Sequence, residues 1–202
     1  ITLGDMDEVM MADYFGPDPG GDYHPGEITA VLNESPVTNG PGHDFATFEN
    51  GFVAGWTSDT IFAELAYVEV SSNGVDFIRF PVHSLTPYWP GSYGCIVASG
   101  VWGMTGKHVN AYGDAWGTPF DLEWLADHPL VLDGTVDLMD IRYVKQVDIP
   151  GGGPLDALSE KTAMFYDDYG NPIFDSWVTW GSGGVDLDAV AVINSSAADS
   201  DG

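Results

Sequence analysis

The chain has 202 residues and a formal net charge of −26, because only 5 Lys and Arg stand against 31 Asp and Glu. This charge argues against nucleic acid and anionic lipid surfaces as partners. Aromatic residues make up 13% of the chain, which is too many for a disordered acidic tail. The acidic residues therefore belong to a folded domain. Bound divalent cations would relieve the self-repulsion, and calcium prefers carboxylate and carbonyl oxygens.

The sequence shows no signal peptide and no long apolar span, so we expect no membrane insertion. It begins at Ile1, which favours a mature secreted form whose leader was removed; the alternative is an artificially trimmed chain. Cys95 stands alone, which excludes an internal disulfide, and its apolar neighbours predict a buried thiol. An extracellular chain without disulfides needs metal ions or subunit contacts for stability.

In chain order, residues 1–26 predict an irregular N-terminal arm that could pair with its own sheet or with another subunit's sheet. Residues 27–194 predict one β-domain, and residues 195–202 an acidic C-terminal tail. The strands expected in the domain are 27–33, 44–49, 62–71, 75–81, 136–149 and 185–193.

Two local signals are more detailed. Asn73-Gly74 between two strands predicts a hairpin with a tight turn. Thr118, followed by Pro119, predicts the start of one short helix over 119–127. Residues 82–117, rich in Gly, Pro and Trp, predict long surface loops. The fold class expected is all-β: a single β-sandwich or jelly roll with one short helix.

Asp186 and Asp188 are the most informative acidic pair. They alternate with apolar residues, so both carboxylates should project from one face of a strand, which Val190 and Val192 continue. Like charges beside an apolar face need neutralisation by a metal, an arginine or backbone N–H groups. We expect calcium there; the alternative is a strand end that opens to solvent.

No catalytic motif is present. The five histidines lack zinc-ligand spacing, and neither a nucleophile elbow nor a phosphate-binding glycine loop occurs. Paired carboxylates could serve a glycosidase, but in so acidic a chain such pairs arise by chance. We therefore expect no enzyme activity.

Loop aromatics suggest a different function. Rings among carboxylates and amides can stack on sugars, and Trp89, Trp102 and Trp116 are the candidates for ligand stacking. The same rings could anchor loops or form subunit contacts, and we favour that packing interpretation.

Several stretches, in this order, resemble a family of secreted prokaryotic cell-surface proteins, many of which carry a C-terminal sorting signal. They are residues 37–45, 48–52, 63–74, 77–81, 117–122, 170–175 and 183–190. Residues 141–144 with 186–190, taken as a closing strand pair, also resemble galactose-binding-type jelly rolls. The wider resemblance implies a calcium-supported β-sandwich with loops available for ligands, but no particular ligand.

Asp44 and Glu49, in these stretches, and Asp148, at a strand end, are secondary calcium-ligand candidates. The chain departs from the family because residues 1–26 lie outside the match and no sorting helix is visible. Such an arm suits strand exchange between subunits, which generates filaments. We therefore expect an extracellular, structural or adhesive, calcium-binding protein that self-associates. The alternative is a carbohydrate-binding module, with extracellular polysaccharide as its partner.

Overall fold

The computed structural model describes residues 25–54, 57–91, 93–149, 165–174, 176 and 184–195. Short strands dominate this part of the chain. They are β1 Glu27–Val31, β2 Phe45–Glu49, β3 Phe52–Val53, β4 Thr60–Phe62, β5 Ala66–Ser71, β6 Ile78–Arg79, β7 His83–Ser84, β8 Ile96–Val97, β9 Val101–Trp102, β10 Met104–Thr105, β11 Thr118–Phe120, β12 Tyr143–Asp148 and β13 Leu187–Val192. The described helices are two 3-10 turns, Ala98–Gly100 and Leu122–Leu125, and one α-helix, α1, Pro129–Leu132. The all-β prediction is confirmed.

All strand pairs are antiparallel. Sheet 1 has the order β1-β12-β5-β10, and β6 also pairs with β5; sheet 2 has the order β11-β2-β13. Sheet 3 has the order β3-β4-β8, and β7 pairs with β9. The helices in the described ranges are all too short or too polar to cross a membrane.

Sheets 1 and 2 share the main hydrophobic core. Val68 and Val70 of β5 belong to the same buried cluster as Phe45 of β2 and Phe120 of β11. The rings of Phe45 and Phe120 stack with their centroids 5.2 Å apart. The opposite face of β5 carries Tyr67 into a second cluster. All six residues of β5 are consequently buried, although Glu69 and Ser71 are polar.

The predicted hairpin is present, but its turn is longer than predicted. Strands β5 and β6 pair with Glu69 opposite Arg79, so the connection is not a two-residue turn. Asn73 Oδ1 accepts hydrogen bonds from the N–H groups of Val75 and Asp76, at 2.8 and 2.9 Å. The Asn73 side chain therefore organises a wide loop instead of a tight turn.

The predicted helix over 119–127 is shorter and starts later. Thr118 lies in β11, which pairs with β2, so it does not cap a helix. The 3-10 turn Leu122–Leu125 is capped instead by Asp121, whose Oδ1 accepts from Glu123 N–H at 3.0 Å. Sheet pairing overrides the local helix signal here.

Two other segments differ from prediction. Part of 82–117, predicted as surface loop, is core: Val82, Ile96, Val101 and Met104 are buried in the second cluster. The predicted strand over 136–149 begins only at Tyr143. Before it, the Asp137 carboxylate accepts from Met139 N–H at 2.9 Å, which turns the chain.

The predicted strand pair of residues 141–144 and 186–190 is wrong, because β12 lies in sheet 1 and β13 in sheet 2. Cys95 is half-buried instead of fully buried. The predicted arm lies outside the described residues as far as residue 24, and so does the tail after Ser195.

Candidate functional site

Glu49 is a buried carboxylate at the end of β2. Its side chain is 1% exposed, and its Oε2 atom has no hydrogen-bond partner. Burial raises its pKa to about 9; the hydrogen bond from Gly51 N–H opposes the rise, and the carboxylates of Glu64, Asp186 and Asp188 add to it. Glu49 is therefore protonated at neutral pH unless a cation takes the place of its proton.

Asp148, at the end of β12, is the second buried carboxylate. Its Oδ1 accepts from Val185 N–H at 3.0 Å, which ties β12 to the segment that leads into β13. Burial raises its pKa to about 7; hydrogen bonds from the N–H groups of Val185 and Ile149 oppose this rise, and the Asp186 carboxylate adds to it. Near neutral pH the Asp148 carboxyl group is consequently present in both its charged and its neutral form.

Asp186 and Asp188 occupy different environments. Asp186 is half-buried, and its Oδ2 accepts from Asn50 Nδ2 at 2.9 Å, while its Oδ1 is buried without a partner. Asp188 is exposed at a β-bulge between Leu187 and Ala189. The bulge breaks the predicted face, because Val190 packs against the main core and Asp188 does not.

Glu64 completes a group that we call the carboxylate cluster: Glu49, Glu64, Asp148 and Asp186. Glu64 is 4% exposed, and its Oε1 accepts from Gly184 N–H at 3.1 Å. Sequence reasoning missed Glu64, which stands in an apolar run, Ala63-Glu64-Leu65, that could have indicated burial. Among the described residues, no three His, Cys, Asp or Glu side chains converge closely enough to hold a metal ion. The cluster therefore offers two unpartnered carboxylate oxygens, Glu49 Oε2 and Asp186 Oδ1, and not a preformed cage.

Gln146 is a second buried polar residue that the sequence did not reveal. It is fully buried on β12, and neither its Oε1 nor its Nε2 has a hydrogen-bond partner. Strand alternation places it on the same face as Asp148, two residues away. The same face of β12 thus carries an amide oxygen as well as a carboxylate.

Asp44, a predicted calcium ligand, is saturated by protein donors. Its Oδ1 accepts from Gly40 N–H and from Asn194 Nδ2, both at 2.8 Å. Its Oδ2 accepts from Leu122 N–H at 2.7 Å. These bonds join three segments that are distant in the chain and make Asp44 a structural link, so we do not carry it into the carboxylate cluster.

The three predicted stacking residues are not equivalent. Trp102 is 39% exposed and packs on Trp124 with centroids 4.6 Å apart, and Trp89 is half-buried. Trp116 is 93% exposed and lines an open cleft of about 820 Å³ together with Lys107 and other side chains. Trp116 combines an exposed ring with an adjacent cleft.

No protein-family model, curated protein or solved structure matches this chain significantly.

Proposed function

We propose that this chain is an extracellular protein of structural or adhesive type that binds calcium at the carboxylate cluster and associates with itself. The observation that carries the proposal is the position of Glu49 and Asp186, which each keep a buried carboxylate oxygen without a partner. Calcium takes such oxygens as ligands, and side-chain amide oxygens as well. Asp148 and Gln146 on β12 are the further ligand candidates.

Electrostatics supports the same conclusion. Buried carboxylates that repel one another must bind protons or a cation, because burial of uncompensated like charges is costly. Asp186 raises the pKa values of both Glu49 and Asp148, so its charge interacts with both carboxylates. One cation bound near Asp186 would reduce the charge repulsion at both Glu49 and Asp148.

Calorimetric titration of the purified protein with calcium, and with magnesium as control, tests the proposal. We expect calcium to bind and to raise the melting temperature more than magnesium does. Asp186→Asn should weaken calcium binding at least tenfold. Glu34→Gln, which removes a charge from an exposed residue, should leave binding unchanged. An absence of calcium binding, or equal affinity in both variants, would overturn the proposal.

Self-association is supported by β1, an edge strand. Within the described part of the chain, β1 pairs only with β12 and therefore lies at the edge of sheet 1. Sedimentation in the presence of calcium should show large assemblies that dissociate when a chelator removes the calcium. Deletion of residues 1–15 should abolish these assemblies. A monomer in every buffer would remove the assembly part of the proposal.

A second candidate function, carbohydrate binding, is supported by one observation, the exposed Trp116 at the cleft. An indole ring in water with a free face is a stacking platform for the apolar face of a sugar ring. Binding of an oligosaccharide that Trp116→Ala weakens about tenfold would support this candidate.

A further inference from the structure

The cleft beside Trp116 is lined by both apolar and polar residues. Its apolar lining includes Ile61, Val109 and Pro119, and the cleft volume of about 820 Å³ lies in the range typical of small-molecule sites. Sheet 3 supplies Ile61 through β4, and sheet 2 supplies Pro119 through β11. The two sheets therefore hold this part of the lining in place.

Lys107 is the most unusual group in this cleft. Of the Lys and Arg residues in the described ranges, Arg79, Arg142 and Lys145 each make an ion pair within 3 Å of a carboxylate. Lys107 makes none within 4 Å with any carboxylate in the described ranges, although the chain as a whole is strongly acidic. Partial burial lowers the pKa of Lys107, and the Asp59 carboxylate opposes that change. A half-buried ammonium group without an ion pair among the described residues suits one anionic group on a ligand, because close pairing at this one position can outweigh the long-range repulsion from the net charge of −26.

The other polar groups are fixed in place. Asp59 accepts from Ser99 twice, from N–H at 2.9 Å and from the hydroxyl at 2.6 Å. His108 Nδ1 lies 2.9 Å from Gly117 O, so Nδ1 carries the proton, and in the neutral ring Nε2 is an acceptor. Fixed acceptors beside an ammonium donor suit a ligand rich in hydroxyl groups.

Trp116 is held at the cleft by its loop. Asn110 Oδ1 accepts from Ala115 N–H at 3.2 Å, and Asn110 O accepts from Gly113 N–H at 2.8 Å. Gly117, the next residue, has φ +73°, a conformation that favours glycine. The ring is therefore presented to solvent by a hydrogen-bonded loop, and the open cleft suits a chain-like ligand that continues beyond it.

We propose that this cleft binds an acidic saccharide, with Trp116 stacked on a sugar ring and Lys107 paired with a uronate carboxylate. The inference rests on the carbohydrate-binding candidate and adds the chemical class of sugar. His108 Nε2 and Asp59 accept hydrogen bonds from hydroxyl groups of the same ligand.

The test uses a tetrasaccharide of galacturonic acid and, as matched probe, its methyl ester, which keeps the sugar rings and loses the charge. Binding is followed by Trp fluorescence and calorimetry, in magnesium buffer so that calcium does not bridge the acidic partners, and again in calcium. We expect the acid to bind at least tenfold more tightly than the ester. In Lys107→Met this preference should disappear, and the ester should bind as before.

Trp116→Ala should weaken both probes about tenfold, and Trp116→Phe should restore most of the loss. Tyr112→Ala is the control, because Tyr112 is a 78% exposed aromatic residue of the same loop that does not line the cleft. Equal binding of acid and ester by the unchanged protein overturns the acidic-sugar inference and leaves carbohydrate binding standing. Binding of neither probe, nor of neutral oligosaccharides, overturns both. Equal losses in Tyr112→Ala and Trp116→Ala overturn the assignment of the cleft.

Discussion

At the scale of single residues, Glu49 couples stability to pH. Its pKa is about 9 in the fold and 4.5 in an unfolded chain, so between these values the folded state holds a proton that the unfolded state has released. Stability of the calcium-free protein therefore falls as pH rises from about 4.5 towards 9. Asp148, with a folded pKa of about 7 against 3.8, contributes with the same sign at lower pH.

Glu49→Gln should make the stability less dependent on pH, because the Gln amide does not ionise. In chelator at pH 8 we expect the variant to be more stable than the unchanged protein by about 2 kcal/mol. Urea unfolding at pH 5, 7 and 9 measures this difference. Glu34→Gln should keep the slope of the unchanged protein, and parallel curves for Glu49→Gln would contradict the assignment.

Asp44 should be one of the least replaceable side chains. Asp44→Ala leaves the N–H groups of Gly40 and Leu122 without their acceptor, and Asn194 Nδ2 keeps only its longer hydrogen bond to His43 O, at 3.4 Å. We expect a loss of about 3 kcal/mol or more in the free energy of unfolding, measured with urea. Asp114→Asn, at an exposed residue, is the control, and a similarly small effect at both positions would refute this role.

At the scale of elements, the loop between β5 and β6 depends on Asn73. Asn73→Ala removes the acceptor for two backbone N–H groups and should destabilise the fold by about 1 kcal/mol. Val75→Ala, at an 80% exposed residue of the same loop, should have little effect in the same urea measurement. Equal effects would mean that the loop is not organised by the side chain of Asn73.

Elements whose own sequence has a periodic or continuous apolar pattern could be predicted. Elements that form only by pairing with distant strands could not. The strands β1, β2 and β5 each have five or six residues, enough for a periodic or continuous apolar signal. The strands β7 to β10 have two residues each, too few to show a period, so the sequence predicts a loop for this segment. Thr118 and Pro119 follow a helix-start pattern that the pairing of β11 with β2 overrides.

Some residues of the candidate site could likewise be predicted from the sequence, and others could not. Asp148, Asp186 and Glu49 could be found because each stands at or near the end of a predicted strand. For Glu64 the signal is the apolar run Ala63-Glu64-Leu65, whereas Gln146 could not be found, because only tertiary contacts bury it. Lys107 was missed for a related reason: its lack of an ion pair is a property of its surroundings in the fold.

At the scale of the whole molecule, charge repulsion opposes folding. With a net charge of −26 and few basic residues, the compact state concentrates negative charge that the unfolded chain spreads out. Raising NaCl from about 20 mM to about 500 mM shortens the screening length severalfold and should raise the melting temperature by several degrees. Calcium at equal ionic strength should raise it further, through the carboxylate cluster. A melting temperature independent of salt would show that repulsion contributes little.

The pairing of early with late strands also governs how the fold can be reached. Strand β1 pairs with β12, and β2 pairs with β13, so each pairing closes a loop of more than a hundred residues. Asp44 adds a bond to Asn194, beyond β13. Closure over such separations makes folding slow, in milliseconds to seconds. A nascent chain cannot complete sheet 2 until β13 has emerged, and until then β2, with Phe45 and Glu49, lacks one of its two neighbouring strands.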